Sequence, residues 1–292
     1  MTPVIFGEVL YDCFEDGSRV LGGAPFNVAW HLAAFGQQPQ MISGVGEDVA
    51  GVEIRRRMTS WHMNQAGIQT VAQYPTGLVQ IRLQQGEPRY EIVKPVAWDV
   101  IDASQLPASV HAAPLLYHGT LALRSETSLH ALQKLKLQSS APLFVDVNLR
   151  DPWWQREQVM QWLVDAHWIK LNQHELADLL PTVSSEAEAV QALFHVSQAS
   201  FILLTKGEAG AVLFHRDGRQ WQIKPAANLT MVDAVGAGDA FTSIFLLGIL
   251  LKWPEQQTLQ RAQDFASAVI GLHGATTDNK IFYQRFRHNW SI

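Results

Sequence analysis

Short apolar or β-branched runs alternate along this chain with longer segments of helical period. The runs at 4–6, 40–43, 115–118, 143–147, 168–171 and 201–205 predict strands, each brief and each closed by Gly, Asn or Lys. Helices are predicted between them at 27–35, 125–138, 155–165 and 185–196. This alternation predicts one mostly parallel sheet covered by helices on both faces.

Two stretches depart from that rhythm. Residues 8–19 and 76–93 read as strands with mixed faces, and 80–84 meets 90–93 across Gln85-Gly86-Glu87-Pro88 as a hairpin. A hairpin is not stable alone, so these pieces are expected to form a small separate sheet, pair with a partner subunit, or close over a ligand. A second hairpin, 211–215 turning at Arg216-Asp217-Gly218, is expected to add antiparallel edge strands.

Polar or glycine-rich sequence follows each predicted strand: Gly7-Glu8, Gly44-Val45-Gly46-Glu47-Asp48, Gly119-Thr120, Asn148-Leu149-Arg150, Asn172-Gln173-His174-Glu175 and Lys206-Gly207. In an open parallel sheet the carboxyl ends share one edge, and ligands bind there. These loops are therefore expected to meet at one crevice.

Composition narrows the class. With 292 residues, 47% hydrophobic and 17% charged, the chain can bury a large core. A net charge of −5 gives no basic field for nucleic acid, so an anionic ligand must be held by local geometry. The single cysteine, Cys13, cannot form an intrachain disulfide and fits a reducing cytoplasm. Met1-Thr2-Pro3-Val4 lacks the features of a secretory signal, so export is not expected. The apolar run at 240–251 ends at Lys252, short of the roughly 20 residues of a membrane span. The histidines and the lone cysteine show no zinc spacing, and no P-loop signature is present.

The chemistry is concentrated in Asp233-Ala234-Val235-Gly236-Ala237-Gly238-Asp239, directly before that apolar run. Glycines at a helix start turn backbone N–H groups outward, and with the positive end of the helix dipole they form an anion site. Asp239 would repel a phosphate there unless it had a proton to take, which suggests a general base; an ordinary helix cap is the plainer alternative.

Gly22-Gly23-Ala24-Pro25-Phe26-Asn27 reads as a turn with Asn27 as N-cap, or as a close approach to a polar small molecule with Asn27 and Asp12 giving hydrogen bonds. Asn172 and Glu175 form a capping box or supply oxygen ligands, through water, for the Mg²⁺ that accompanies ATP. Arg150 meets a transferring phosphoryl group or pairs with Asp151. Thr205-Lys206-Gly207 suits a nucleotide phosphate or a tight hairpin entry. Trp153, Trp154, Trp162 and Trp168 are assigned to packing.

Jointly, Gly22-Gly23-Ala24-Pro25-Phe26-Asn27-Val28-Ala29 and Asp233–Asp239 resemble the motifs of the ribokinase-like (PfkB-type) carbohydrate kinases, most of all the bacterial fructokinases. Asp146-x-Asn148-x-Arg150, Asn172-x-x-Glu175, Thr76-Gly77 and Val96-Ala97-Trp98-Asp99 fall in the family's order, so the resemblance spans nearly the whole chain. It implies an α/β, ribokinase-like three-layer fold in a single domain over 1–292, with a small β-sheet lid from about 8–20 and 74–97.

The resemblance also implies roles. Asp239 is the catalytic base, and the amides of Gly236, Ala237 and Gly238 form the anion hole. Asp12, Gly22, Gly23 and Asn27 bind the sugar, and Arg150 stands near the transferring phosphate. Asn172, Thr205, Gly207, Gly238 and Gly274 approach ATP, Glu175 and Asn172 organise Mg²⁺, and carbonyls of Asp233 and Val235 hold K⁺. The implied reactants are a small-molecule sugar and ATP, with a homodimer through the lid as one assembly and no nucleic-acid or membrane partner.

Two departures stand out. Ala234 and Val235 replace threonines frequent in the family, and Gly271-Leu272-His273-Gly274-Ala275-Thr276-Thr277 matches its adenine and K⁺ loop loosely. Fructose is the acceptor implied first, with another ketose, a sugar acid, an amino sugar or a nucleoside as the alternative. A non-catalytic sensor would be expected to have lost a glycine or the acid of the 236–239 segment, and all three are present. A dinucleotide oxidoreductase is disfavoured because Gly44-Val45-Gly46 lacks the third glycine of that fingerprint.

Overall fold

Successive residues of the central strands enter two different cores. In the first strand Val4 and Phe6 join one cluster while Ile5 joins the other, and Leu143, Phe144 and Val145 alternate in the same way. A sheet buried on both faces results, which is why its strands read as continuous apolar runs.

The computed structural model describes residues 2–84, 87–226 and 232–292. In chain order the elements are β1 (Val4–Phe6), β2 (Leu10–Phe14), β3 (Arg19–Gly22), α1 (Ala24–Ala34), β4 (Gln40–Gly46), α2 (Val49–Ser60), β5 (Ile68–Val71), β6 (Gly77–Gln84), β7 (Glu87–Ile92), β8 (Leu116–His118) and α3 (Glu126–Gln138). There follow β9 (Leu143–Asp146), α4 (Arg156–Leu163), β10 (Trp168–Asn172), α5 (Gln173–Leu179), α6 (Glu186–Val196), β11 (Phe201–Thr205), β12 (Ala211–His215), β13 (Gln220–Ile223), α7 (Ala237–Leu251), α8 (Glu255–Val269) and α9 (Lys280–Trp290).

The large sheet runs β13-β12-β11-β10-β9-β8-β1-β4-β5. Its strands are parallel except for β12 and β13, which fold back from β11 through the expected hairpin. Chain order reverses at β1, with β4 on one side and β8 on the other. The small sheet runs β3-β2-β6-β7, so the two stretches that broke the rhythm do pair with each other.

Several boundaries differ from expectation. Residues 44–46 are strand, not loop, because β4 continues through Gly46. Both glycines are there for want of room: a Cβ on Gly44 would sit 2.4 Å from the Ala97 carbonyl oxygen, and one on Gly46 2.7 Å from the Thr76 amide nitrogen. Helix α1 begins at Ala24, with Gly23 as N-cap and Pro25 in its first turn, so Asn27 lies inside the helix and is not its cap. Glu87 and Pro88 belong to β7; the rest of the expected turn, Gln85 and Gly86, lies outside the described residues. The assigned tryptophans do pack, Trp153, Trp154 and Trp162 against one core and Trp168 against the other.

Helix α7 is apolar on every side, with Ala240–Gly248 and Leu250 buried, as a helix inside a core must be. Behind it His31 of α1 is fully buried, with Nε2 3.1 Å from the Ala275 carbonyl oxygen and Nδ1 3.0 Å from the Tyr283 hydroxyl. A carbonyl only accepts, so Nε2 carries the proton and Nδ1 accepts from tyrosine. Burial holds this imidazole near pKa 3, against 6.5 when free. The unfolded chain therefore binds a proton that the folded chain does not as pH falls below 6.5. By pH 5 the loss of stability reaches about 2 kcal/mol. Denaturant titrations at pH 7 and pH 5 should show that loss in the wild type and a smaller one in His31→Gln.

Candidate active site

The carboxyl edge of the large sheet collects the polar loops. Glu8 follows β1, Gly119 follows β8, Arg150 follows β9, Gln173 follows β10 and Lys206 follows β11. The N-terminus of α7 arrives at the same edge. Gly236 caps it at φ 80°, a left-handed conformation that favours glycine, and a Cβ there would meet the Ala275 Cβ at 2.2 Å. Asp239 stands in the first turn.

Among the described residues, no carbonyl or side chain accepts from the amides of Gly236, Gly238 or Asp239. The Ala237 amide makes one long contact, 3.4 Å to the Ala234 carbonyl, so it is a weaker member of the expected hole than its neighbours. Upstream, Val232 and Asp233 donate to the Ile270 carbonyl. The Asp233 carboxylate takes the Val235 amide at 2.9 Å and the Gly274 amide at 3.1 Å, tying the loop before α7 to the one before α9. Gly274 thus stands beside Asp233, with Val20 of the small sheet across from it.

Asp239 is half-buried and accepts from the Asn27 side-chain amide at 2.8 Å. Desolvation raises its pKa, opposed by that hydrogen bond, with Asp146 raising it further and Lys170 and Arg150 lowering it. Asp12, on β2, has its Oδ2 3.4 Å from where a Gly22 Cβ would be, and burial pushes its pKa to about 6. Asp12, Gly22, Gly23, Asn27 and Asp239 therefore share one corner of the crevice.

Beneath them lies a network that sequence reasoning did not assemble. Lys170 reaches the two oxygens of Asp146 at 2.9 and 3.2 Å, and Thr242 of α7 donates to Asp146 at 3.0 Å. Lys170 and Asp146 are both buried. Lys170 Nζ is 3.3 Å from where a Gly238 Cβ would stand, so it supports the turn that exposes the amides. Burial works against its charge, but the carboxylates of Asp146, Glu175 and Asp239 together outweigh burial and its pKa is raised. The available signal was a lysine in the middle of the apolar strand Trp168-Ile169-Lys170-Leu171.

Asn172 and Glu175 do form the capping box: Asn172 Oδ1 accepts from the His174 and Glu175 amides, and Glu175 accepts from the Asn172 and Leu149 amides. Each Glu175 oxygen keeps a second lone pair, which a water-mediated Mg²⁺ could use. The carbonyls of Asp233 and Val235 accept no backbone hydrogen bond among the described residues, which suits a monovalent cation. Arg150 is exposed and does not pair with Asp151, whose carboxylate instead takes the Trp154 indole at 2.7 Å. Thr205 donates to the Leu171 carbonyl at 3.4 Å, while Gly207, at φ 54°, faces open space.

The small sheet is pinned at both roots. Asp48 takes the Thr76 amide and hydroxyl, each at 2.7 Å. Arg124 pairs with Asp99 at 2.8 Å, donates to the Val93 carbonyl at 2.7 Å, and lies between the rings of Trp98 and Trp153.

The model of the pfkB family of carbohydrate kinases matches residues 10–281. The chain belongs to that family. A fructokinase from Klebsiella pneumoniae is 29% identical over 282 residues, covering 90% of this chain and 89% of its own. The fructokinase of Xylella fastidiosa, solved with bound ATP, has a TM-score of 0.85 at 21% identity and covers 100% of this chain and 99% of that one. A fructokinase double mutant from Vibrio cholerae O395, solved with fructose, ADP and potassium, has a TM-score of 0.82 at 23% identity over 97% of both chains. This pfkB-family protein is a carbohydrate kinase with a ribokinase-like fold. Among its described residues no helix is long and apolar enough to cross a membrane.

Replacing Lys170 with methionine leaves Asp146 buried without its cation, which should cost about 3–5 kcal/mol. Equilibrium unfolding in denaturant measures this, and an unchanged midpoint would show that the pair does not support the site.

Proposed function

We propose that this kinase transfers the γ-phosphoryl group of ATP to a primary hydroxyl of a small sugar, with fructose as the acceptor. The observation that carries this reading is Asp239, held by the Asn27 amide on the same helical turn that presents the amides of Gly236 and Gly238. The named relatives favour fructose.

The acceptor would lie against Asp12, Gly22, Gly23 and Asn27, with its hydroxyl toward Asp239. Asp239 takes the hydroxyl proton as the oxygen attacks the γ-phosphorus and the bond to the β–γ bridging oxygen breaks. ADP leaves with that electron pair, and the proton passes from Asp239 to solvent. The amides of Gly236, Ala237 and Gly238, with Arg150, stabilise the charge spread over the transferring oxygens. Asn172, Thr205, Gly207 and Gly274 would flank the nucleotide. Mg²⁺, held through water by Glu175 and Asn172, would neutralise phosphate charge, and K⁺ on the Asp233 and Val235 carbonyls would steady the hole. The small sheet acts as a lid that keeps water from the phosphoryl group, and a second copy would dimerise through it. A cytoplasmic setting fits the single free thiol, Cys13.

A second reading, an acceptor larger than a hexose such as a nucleoside, is favoured by one feature. Phe14, Ile81 and Tyr90 are direct neighbours across the face of the small sheet that carries Asp12, and Phe14 and Tyr90 are exposed. An ADP-release assay over a panel of sugars and nucleosides separates the two, with fructose expected to give the highest kcat/KM. Added K⁺ should raise the rate over Na⁺; equal rates would remove the cation from the mechanism.

Asp239→Asn should lower kcat by about 10²–10⁴-fold while ATP binding is retained. Near-normal turnover in that variant would refute the base assignment. Because the base must be ionised and its pKa is raised, the acid limb of kcat/KM should lie above the ordinary aspartate value of 3.8.

A further inference from the structure

The proposed reaction leaves one buried carboxyl beside the base without a task. Glu8 is the second residue after β1, at the point where strand order reverses and where ligands gather in open α/β sheets. Its backbone is wedged against the acceptor loop. A Cβ on Gly7 would meet Pro25 Cγ at 2.4 Å, and one on Gly23 would stand 2.7 Å from the Glu8 carbonyl oxygen. The residue is 2% exposed, yet its Oε2 has no hydrogen-bond partner among the described residues. A buried carboxyl oxygen without a donor is costly, so such an atom calls for a partner that arrives during function.

The charged groups around Glu8 narrow the choice of partner. They are Arg150, Asp239 and Arg124, with the Tyr117 ring alongside. Arg124 is fixed by Asp99, by the Val93 carbonyl and by two tryptophans. Arg150 is exposed and, among the described residues, pairs with no carboxylate. Its long side chain must lose freedom before it can meet a phosphoryl group, and a fixed acceptor for one edge of the guanidinium supplies that order.

We propose that Glu8 is a positioning residue for phosphoryl transfer: its open carboxyl oxygen receives Arg150 as the crevice closes and sets the other edge of the guanidinium toward the transferring group. This rests on the kinase mechanism above and on the place given there to Arg150. Burial pushes the unpaired Glu8 to about pKa 7, and pairing with Arg150 then draws it down. The neutral acid formed at low pH would hold the arginine less well.

The test is a cycle of Glu8→Gln, Arg150→Ala and the double variant, read as kcat and KM on the intact enzyme. Glu8→Gln should lower kcat tenfold or more, with KM for ATP and sugar changed less than threefold. In the Arg150→Ala background the same substitution should change kcat less than twofold. Wild-type kcat in Glu8→Gln, or losses that multiply in the double variant, would overturn the proposal. Should Glu8→Gln not fold, Glu8→Asp is read in its place: an intermediate kcat that becomes silent without Arg150 supports the proposal, and a loss that persists there overturns it. A wild-type enzyme that leaves fructose untouched overturns the acceptor reading alone, and the cycle is then run on the sugar it does phosphorylate.

Discussion

The hydrogen bond from Asn27 to Asp239 joins residues 212 positions apart and places the acceptor loop against the start of α7. Most of the site depends on the position of that helix end. Its body is held by apolar packing on every side, and its first turn rests on Thr242, Asp146 and Lys170. The exposed amides stay exposed because the turn cannot collapse: Gly236 is pressed against Ala275, and Gly238 lies over the lysine. A rigid core and an unsatisfied helix end are therefore two aspects of one arrangement.

Much of this was legible in the sequence, because parallel strands buried on both faces leave an unbroken apolar trace and their loops are polar. The runs at 4–6 and 201–205 coincide with β1 and β11 to the residue. The glycine pattern at 236–238 located the helix start because it reports a backbone requirement, not a preference. What was missed depended on long-range partners. Gly44 and Gly46 suggested a loop, but Ala97 and Thr76, which crowd them, arrive from distant segments. Asn27 looked like a cap because Gly23, the true cap, offers no side chain to announce itself. Lys170 could be seen as an anomaly in a strand, but its neighbours could not be named without the sheet register.

The small sheet shows the same division. Its strands were visible as segments of mixed period, but their anchoring was not. Asp48, which caps α2 and accepts from Thr76, and Arg124, which lies between two indoles, fix where the sheet leaves and rejoins the large one. A sheet anchored at its base in this way fits the lid role proposed for it.

The pairing of Lys170 with Asp146 also bears on what the crevice retains. Lys170, the cation beneath Gly238, is already neutralised from within, so the turn presents oriented backbone dipoles in place of a net charge. Oriented dipoles suit negative charge spread over several oxygens. With Lys170 committed to Asp146, the positive side-chain charge that a phosphate could meet at this edge is left to the exposed Arg150.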